Sequence, residues 1–349
     1  MTQKVREMSG ESIAWNGTTR TSASVREIFR RPLVDLGKKM GTELSGIYSP
    51  TYDPKEISLF MSSYYESRKG VQSQIERIDL TDYYYDLISE ALCKTGYMAE
   101  MKERQIVLEL GCGFGSATIP LLKLFPSSII IASELSIAML RALKVNLEKL
   151  KVGHRCLLLQ LNAQDLDFYS ESVDLLVGAA ILHHLFDPAL VIQQCARILK
   201  PGGLAIFFEP FENGTSILGI IYRSILMDKR SKSLKRKEVT YLRNCISTWQ
   251  KMKSPDKSDP FFSGIDDKWI FTRQYFTDLK YQYEFNKCII YPLEKSNRPF
   301  EKQIRTHIEG NNMTSLPDWI WDIVDEYENF FSDQLKMDFL TEGCIIFQK

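Results

Sequence analysis

The sequence predicts an α/β fold with a mostly parallel sheet. From residue 105 onward, short apolar runs alternate with helical patterns, which is typical of a sheet covered by helices on both faces. Lys200-Pro201-Gly202-Gly203 ends the last of these helices and turns into a fifth strand. The predicted strands are 105–110, 128–133, 156–161, 173–178 and 203–208, and the predicted helices are 115–124, 136–150 and 188–199.

The composition favours a cytoplasmic globular protein. The chain has 349 residues, 44% of them hydrophobic, enough for a substantial core. No apolar run approaches the roughly 20 residues of a membrane span, and residues 1–17 are polar, without the apolar region of a signal peptide. The seven cysteines form no CxxC pair and no cluster with histidine, so we expect neither a disulfide framework nor structural zinc.

The charge is balanced overall but unevenly distributed. Lys plus Arg and Asp plus Glu both number 44, which argues against a uniformly basic nucleic-acid-binding surface. Residues 223–257 hold eleven basic residues against three acidic ones, whereas residues 315–342 hold eight acidic residues against one lysine. The basic run 229–237 is typical of a solvated face, or of a surface for an anionic substrate, a membrane or an acidic partner. A further hypothesis is that the two segments lie together and close a lid.

The pattern divides the chain into four regions. Residues 1–100 are predicted to be a helical N-terminal cap with a disordered leader, with a break expected at Pro32 and another helix from Asp53. Residues 101–210 form the core, and 211–271 form a lid insertion with helices at 215–228 and 233–253. Residues 272–349 return to the sheet, interrupted by a second insertion at 294–340 with a helix from Leu316 to about Leu335.

A glycine-rich turn follows the first core strand. Gly111, Gly113 and Gly115 stand at alternate positions, where glycine lets the backbone take positive φ and approach a ligand closely. The following helix would direct its N-terminal NH groups at that ligand. A dinucleotide fingerprint requires a glycine at its sixth position, where this chain has Ser116. Glu134 ends the second strand, where an acid can hold ribose hydroxyls, so these features alone leave NAD and other adenosine cofactors open.

Four further motifs decide between these cofactors. They are 134–140 (ELSIAML), 162–166 (NAQDL), 173–185 (VDLLVGAAILHHL) and 197–204 (RILKPGGL). Together with Glu109-x-Gly111-x-Gly113-x-Gly115, this series resembles the class I S-adenosylmethionine-dependent methyltransferases over roughly residues 100–210. The resemblance implies a Rossmann-like sheet of seven mostly parallel strands, with the helical cap and the insertions forming a lid.

The resemblance also implies roles for individual residues toward S-adenosylmethionine. The turn of Gly111, Cys112, Gly113 and Gly115 would lie under the methionine moiety, and Glu109 would orient its amino group. Glu134 would bind the ribose hydroxyls. Leu135 and Met139 would pack on the adenine, whereas Asn162, Ala163 and Gln164 would present polar groups to its edge. Gly178 and Ala179 would offer carbonyl groups to the methionine ammonium.

Catalytic candidates stand after the fourth and fifth strands. His183 or His184 is a candidate general base, because a neutral imidazole accepts a proton near pH 7, although packing is the alternative. Glu209 could orient an amine or accept a hydroxyl proton, or else cap the helix that follows. His307 reads as a surface histidine. No cluster of oxygen ligands is evident near the fifth strand, so we expect no catalytic metal.

The lid is predicted to select the acceptor. Tyr84, Tyr85, Glu212 and Tyr222 are candidate substrate contacts, and many aromatic and branched residues in the insertions favour a closed pocket for a small molecule. The expected reaction is methyl transfer from S-adenosylmethionine to an O, N or C nucleophile, with S-adenosylhomocysteine as product. Alternatives are a protein or RNA methyltransferase and a non-catalytic cofactor-binding subunit. We expect no nucleic-acid partner, and the sequence leaves monomer and homodimer open.

Overall fold

The structure, a computed structural model, describes residues 25–50, 81–97, 105–310 and 316–349. The leader, the helix expected from Asp53 and the end of the predicted cap lie outside the described residues. The fold is α/β, as predicted: one sheet lies between two helical layers, and a group of helices covers one edge of the sheet.

Nine strands of the described residues form a single sheet in the order β1-β2-β5-β4-β3-β6-β7-β9-β8. Neighbouring strands from β2 to β7 run parallel, whereas β1 and β9 pair antiparallel with their neighbours. The strands are β1 Val34–Asp35, β2 Ile47–Ser49, β3 Ile106–Leu110, β4 Ile129–Glu134, β5 Cys156–Gln160, β6 Val173–Ala179, β7 Leu199–Pro210, β8 Lys287–Pro292 and β9 Glu342–Gln348.

Both faces of the sheet are buried, which explains why its strands are continuous apolar runs. Leu108 and Leu110 of β3 pack with one helical layer, and Val107 packs with the other. The described α-helices are α1 Gly37–Met40, α2 Thr81–Thr95, α3 Thr118–Leu124, α4 Ile137–Lys149, α5 Pro188–Ile198, α6 Glu212–Met227, α7 Arg236–Met252, α8 Arg273–Gln282, α9 Pro299–Gly310, α10 Asp318–Phe330 and α11 Asp333–Asp338. Helices α2, α3 and α4 cover one face, whereas α5 and α8 cover the other.

The core strands and helices match the predicted ones closely, with two local differences. Helix α3 begins at Thr118 rather than at residue 115, because positive φ at Gly115 keeps the turn out of the helix. The fifth strand, β7, begins at Leu199 rather than 203. Its pairing with β6 shifts between Val173 and Leu175, opposite the segment that contains Gly202 at φ +80°.

The sheet has nine strands rather than the seven expected, because part of the predicted helical cap is extended. Ile47 and Tyr48 pair with Leu158 and Leu159 and thereby cover the edge of β5. Residues 33–36, which the predicted helical cap includes, instead form a strand and a turn, and the chain leaves the helical conformation before Pro32, where a break was expected. Within the described residues of the predicted cap, 25–50 and 81–97, the long helix is α2.

The two insertions form a separate apolar cluster. Helices α6, α7, α9 and α10 contribute Leu218, Tyr222, Leu242, Ile304 and Ile320 to it. The predicted helix 316–335 is two helices, because Phe331 is extended and the Ser332 hydroxyl caps α11 at Leu335 N.

The hypothesis that the basic and acidic segments lie together is confirmed. Arg230 Nη1 lies 3.3 Å from the Asp322 carboxylate, and its guanidinium lies 5.0 Å from the centre of the Trp319 ring. The Trp319 indole NH also donates to the Ser233 hydroxyl over 3.3 Å. The lid is therefore closed partly by contacts between its own two insertions.

The described helices include none that is long and apolar enough to cross a membrane.

Candidate functional site

The glycine turn has the backbone conformation that its sequence predicts. Gly111, Gly113 and Gly115 have φ values of +66°, +50° and +101°. A Cβ at Gly111 would come within 2.7 Å of Ile181, and one at Gly115 within 2.5 Å of Leu143. A Cβ at Gly113 would meet no protein atom within 4 Å. The protein itself therefore excludes side chains at the two outer glycines, whereas the middle glycine leaves an open space above the turn.

Glu134 at the end of β4 is tied to this turn. Its carboxylate accepts hydrogen bonds from Gly113 N at 3.1 Å, Leu135 N at 2.8 Å and Ser136 N at 3.0 Å. Burial raises the pKa of Glu134, although these three NH groups act against the shift. The acid and the glycine turn form one unit because Leu110 and Ser133 are direct partners in neighbouring strands.

Glu109 is buried beneath the turn. Its carboxyl group accepts a 2.5 Å hydrogen bond from the Thr118 hydroxyl at the start of α3. Burial raises the pKa of Glu109 to about 8. Cys112 is also buried, and its backbone NH donates to the Ser133 carbonyl over 2.9 Å. Both residues therefore support the turn from below.

The other residues assigned to the cofactor lie along the same edge of the sheet. Met139 is buried, whereas Leu135, Asn162, Ala163 and Gln164 are partly exposed after β4 and β5. The Asn162 side chain accepts from Gln164 N over 3.0 Å, which shapes the turn between them. Gly178 and Ala179 end β6, beside the turn, since Leu110 pairs with Gly178. The structure therefore brings together all thirteen residues that the sequence assigned to the cofactor.

Glu209, at the end of β7, accepts hydrogen bonds from the loop that follows β6. Its side chain is fully buried and accepts from the backbone NH groups of Ile181, Leu182 and His183 over 3.1, 2.7 and 3.2 Å. His183 Nδ1 lies 2.6 Å from the same carboxylate. With four donors around it, Glu209 holds this loop in place, and this arrangement disfavours its predicted part in proton transfer.

His183 lies between two carboxylates. Its Nε2 lies 3.4 Å from Asp267, on the opposite side of the ring from Glu209. Burial alone would lower the pKa of His183, but Glu209 and Asp267 outweigh this effect and raise it to about 10. An imidazolium at neutral pH cannot accept a proton, so the charge state of His183 argues against its predicted role as a general base.

His184 and Asp267 complete the network at the more exposed end. His184 Nδ1 lies 3.3 Å from the Asp267 carboxylate. Burial opposes the shift, but hydrogen bonds from both histidines hold the pKa of Asp267 well below its usual range. These three residues are also a set that could hold a metal ion, with ligand atoms within 4.8 Å of one another. The hydrogen bonds around His183 account for the set without one, and the absence of a catalytic metal stays a prediction.

The loop carrying His183 is strained at its first residue. Ala180 has φ +56°, a conformation that costs a residue with a Cβ about 1–3 kcal/mol. Its NH donates to the Phe208 carbonyl over 3.1 Å, and Glu209 binds the next three NH groups. The buried carboxylate thus stabilises a tight turn directly beside the glycine turn, which Ile181 contacts.

A cavity of about 290 Å³ lies at this edge of the sheet, beneath the lid. The core contributes Ala180, His183, Phe208, Glu209, Thr341 and Glu342 to its lining. The lid contributes Thr215, Thr248, Trp249, Met252, Gln303 and His307. Tyr83 and Tyr84 reach it from α2, and Asp267 and Ile270 reach it from the segment before α8. Parts of the chain that are distant in sequence therefore meet around one space.

The four predicted substrate contacts have different positions. Tyr84 lines the cavity, with its ring centre 6.0 Å from that of Phe208. Tyr85 and Glu212 are outside the lining, since Tyr85 points outward from α2 and Glu212 pairs with Lys253 at 3.5 Å. Tyr222 is fully buried behind the wall, where it stacks on Trp249. The expectation of a direct contact is therefore not supported for Tyr85, Glu212 and Tyr222.

His307, read from the sequence as a surface residue, lines the cavity instead. Its Nδ1 lies 3.0 Å from the Tyr222 hydroxyl and its Nε2 lies 3.2 Å from the Gln303 amide nitrogen. Burial lowers the pKa of His307 to about 4, so the ring is neutral at pH 7. The sequence signal was its spacing from Phe300, Gln303 and Ile304 on one helical face, which becomes informative only once α9 is known to cover the cavity.

Two carboxylates of the cavity also escaped the sequence analysis. Asp267 stands in a loop without motif context. Glu342 is the first residue of β9, and more than a third of its surface remains accessible because it faces the cavity. Desolvation by the surrounding protein nevertheless raises the pKa of Glu342, and the acids Glu294 and Glu209 add to this shift.

Comparison with known proteins places these features in a family. The family model described as "Methyltransferase domain" matches residues 108–207, which contain the glycine turn, Glu134 and His183. The ubiquinone biosynthesis O-methyltransferase of Bradyrhizobium sp. (strain ORS 278) is 23% identical over 234 residues, covering 64% of this chain and 83% of that protein. The malonyl-[acyl-carrier protein] O-methyltransferase of Brevibacillus brevis is 33% identical over 126 residues, covering 32% of this chain and 45% of that protein.

Among solved structures, phosphoethanolamine N-methyltransferase 2 of Haemonchus contortus in complex with S-adenosyl-L-methionine aligns with a TM-score of 0.47 and 15% identity. The alignment covers 84% of this chain and 60% of that one.

The sheet order and the turn define a protein that binds an adenosyl cofactor at the carboxyl ends of its strands. Residues 108–207 are thus a methyltransferase domain of the class I S-adenosylmethionine-dependent type. S-adenosylmethionine is the cofactor of this protein, and the residues of the site fit that group. The turn leaves open space at Gly113, and the acid Glu134 stands at the end of β4.

Proposed function

We propose that the protein methylates a small molecule held in the cavity beneath the lid. The observation that carries this proposal is the shared loop 180–183: Ile181 contacts the glycine turn, whereas Ala180 and His183 line the cavity. A cofactor on the turn and an acceptor in the cavity would therefore be neighbours. The names of the relatives, which include enzymes of ubiquinone biosynthesis, support a small acceptor.

In this proposal the glycine turn and the strand ends hold the cofactor. Gly111, Cys112, Gly113 and Gly115 lie under its methionine end, with Glu109 near the amino group, and Glu134 takes the ribose hydroxyls. Leu135 and Met139 contact the adenine face and residues 162–164 its edge. Gly178 and Ala179 contribute backbone carbonyl groups. The bound cofactor supplies an electrophilic methyl group on a sulfonium, so the protein mainly provides alignment and a site that excludes water.

The proposed roles of the polar residues follow from their charge states. Glu209 and His183 position the loop beside the reacting groups. A nucleophile that arrives protonated needs a base, and Glu342 is the candidate because its carboxylate lines the cavity and its pKa is raised. His184 lies at the more exposed end of the network, further from this role.

The cavity favours an enzyme over a non-catalytic subunit, because a protein that only bound the cofactor would need no second enclosed space. A protein or RNA acceptor would need a wide basic entrance, whereas the described lining contains three carboxylates and no lysine or arginine. All seven cysteines are free, and we propose a reducing, cytoplasmic location on that ground.

The test is calorimetric titration with S-adenosylmethionine. Wild type should bind, and Glu134→Ala should bind at least about tenfold more weakly, because a carboxylate that bonds two hydroxyls contributes about 1.5–3 kcal/mol per charged hydrogen bond. Glu148→Ala, an exposed acid on α4, is the matched control and should bind as wild type does. Absence of binding by wild type, or equal binding by Glu134→Ala, would contradict the proposed site.

A further inference from the structure

We propose that the acceptor is an amine that enters the cavity as an ammonium cation and is methylated on nitrogen. This inference rests on the proposed function and specifies the substrate class of the same cavity. It depends on the charges and aromatic rings that line the cavity.

The described lining is an acidic environment. Glu209, Asp267 and Glu342 are three carboxylates, and His183 is the single cation that faces them. His183 lies between Glu209 and Asp267, so its charge is shared by two acids, and Glu342 is left without a hydrogen-bonded cation of its own. An anionic acceptor such as a carboxylate or phosphate would be repelled here, whereas a cation would be attracted.

Aromatic rings complete the recognition of a cation. One group consists of Tyr83, Tyr84 and Phe208. The ring centre of Tyr84 lies 5.5 Å from that of Tyr83 and 6.0 Å from that of Phe208. Trp249 and His307 form a second group from the lid, with ring centres 5.9 Å apart. The faces of such rings attract an ammonium, and aromatic walls with acidic groups between them are the usual protein environment for one.

The reaction balances with groups that the cavity already contains. The ammonium first gives a proton to a base, and the carboxylate of Glu342, whose raised pKa favours accepting a proton, lines the cavity. The nitrogen lone pair then forms a bond to the methyl carbon as the carbon–sulfur bond breaks. The products are neutral S-adenosylhomocysteine and an ammonium that carries one more methyl group, so the positive charge passes from sulfur to nitrogen.

Glu342 is the residue through which the proposal is tested. It stands at the start of β9, where Pro210 is its pairing partner in β7. Unlike those of Glu209 and Asp267, its side chain makes no hydrogen bond or ion pair within the described residues, although its backbone carbonyl accepts from Leu293 N over 3.1 Å. Its removal should therefore change the charge of the cavity and leave the loop at His183 intact.

The experiment compares three compounds of matched shape: 2-phenylethylamine, 2-phenylethanol and phenylacetate. Each is titrated calorimetrically into wild type saturated with S-adenosylhomocysteine at pH 7. We expect the amine to bind at least about tenfold more tightly than the alcohol, and phenylacetate to bind more weakly than both. With S-adenosylmethionine, methylated amine should be detected by mass spectrometry at a mass gain of one methyl group.

The variant Glu342→Gln should lose about tenfold in affinity for the amine and keep its affinity for the alcohol. Glu326→Gln, which removes an exposed acid of α10 outside the lining, should change neither. Equal or tighter binding of 2-phenylethanol or of phenylacetate would overturn the amine proposal. If S-adenosylmethionine itself does not bind, the proposed function fails; if it binds and the amine is not preferred, only the substrate class fails.

Discussion

The cofactor side and the acceptor side of this protein are built in different ways. On the cofactor side, residues 109–140 supply the turn, the acid and the helix within one βαβ unit, and the key contacts involve backbone NH groups. On the acceptor side, many distant parts of the chain meet, and side chains make the contacts. The comparison shows why one cofactor site recurs in a family whose relatives have different names: a local backbone site tolerates change elsewhere, whereas an assembled cavity changes with every insertion.

The loop 180–183 joins the two sides, and disrupting it should have the largest effect. Glu209→Gln leaves one oxygen for four donors and places an amide NH₂ against backbone NH groups. We expect a loss of about 3–5 kcal/mol in the free energy of unfolding, typical of breaking a buried charged pair. Urea unfolding measures it. Glu212→Gln, three residues along the chain and ion-paired with Lys253, should cost far less; similar losses for both would show that Glu209 does not hold the loop.

The second-largest effect should be a pH dependence of the free energy of unfolding. It comes from the charge of His183 on the acceptor side. Its pKa is about 10 in the folded protein and about 6.5 in a model peptide, so its stabilisation is complete below pH 6.5 and disappears as the pH rises toward 10. Because solvent screens the exposed Asp267, we expect about 2 kcal/mol.

This effect is measured as the difference between wild type and His183→Gln in urea unfolding at pH 6, 8 and 10. Wild type should lose stability relative to the variant across this range. Parallel pH profiles for the two proteins would mean that His183 is neutral, and His183 would then again be available as a base.

The third prediction separates backbone strain from ligand contact on the cofactor side. Gly113 and Gly202 have φ values of +50° and +80°, and a Cβ at either would meet no protein atom within 4 Å. Alanine should therefore cost about 1–2 kcal/mol of stability at both positions. Only Gly113→Ala should also weaken S-adenosylmethionine binding, by about tenfold or more, because its Cβ occupies the space above the turn. Calorimetry with both variants is the measurement, and equal affinities would place the cofactor away from Gly113.

The smallest effect should come from the contact between the two lid insertions. Arg230 and Asp322 are both largely exposed, so water and salt screen their attraction. A double-mutant cycle with Arg230→Ala and Asp322→Ala should show a weak coupling that disappears in 1 M salt. A coupling that persists in high salt would indicate that this pair, rather than the apolar cluster around Leu218 and Ile320, holds the lid together.

The sequence alone determined the cofactor side. The spacing of Gly111, Gly113 and Gly115, the acid at Glu134 and the alternation of strands and helices are local patterns, and the backbone geometry follows from them because positive φ and parallel pairing are properties of short segments. The five strands of the core were predicted for the same reason. The two added strands were missed because Ile47 and Tyr48 become extended only by pairing with β5, more than 100 residues further along the chain.

Only the tertiary structure decided the acceptor side. The sequence predicted Glu209 and His183 as residues of this side, but the charge state of His183 depends on Asp267, which lies more than 80 residues further along the chain. His307 and Glu342 became cavity residues only because α9 and β9 return to the same edge of the sheet. The physical reason is that burial and charge pairing, which set the chemistry of a titratable side chain, depend on neighbours in space rather than in sequence.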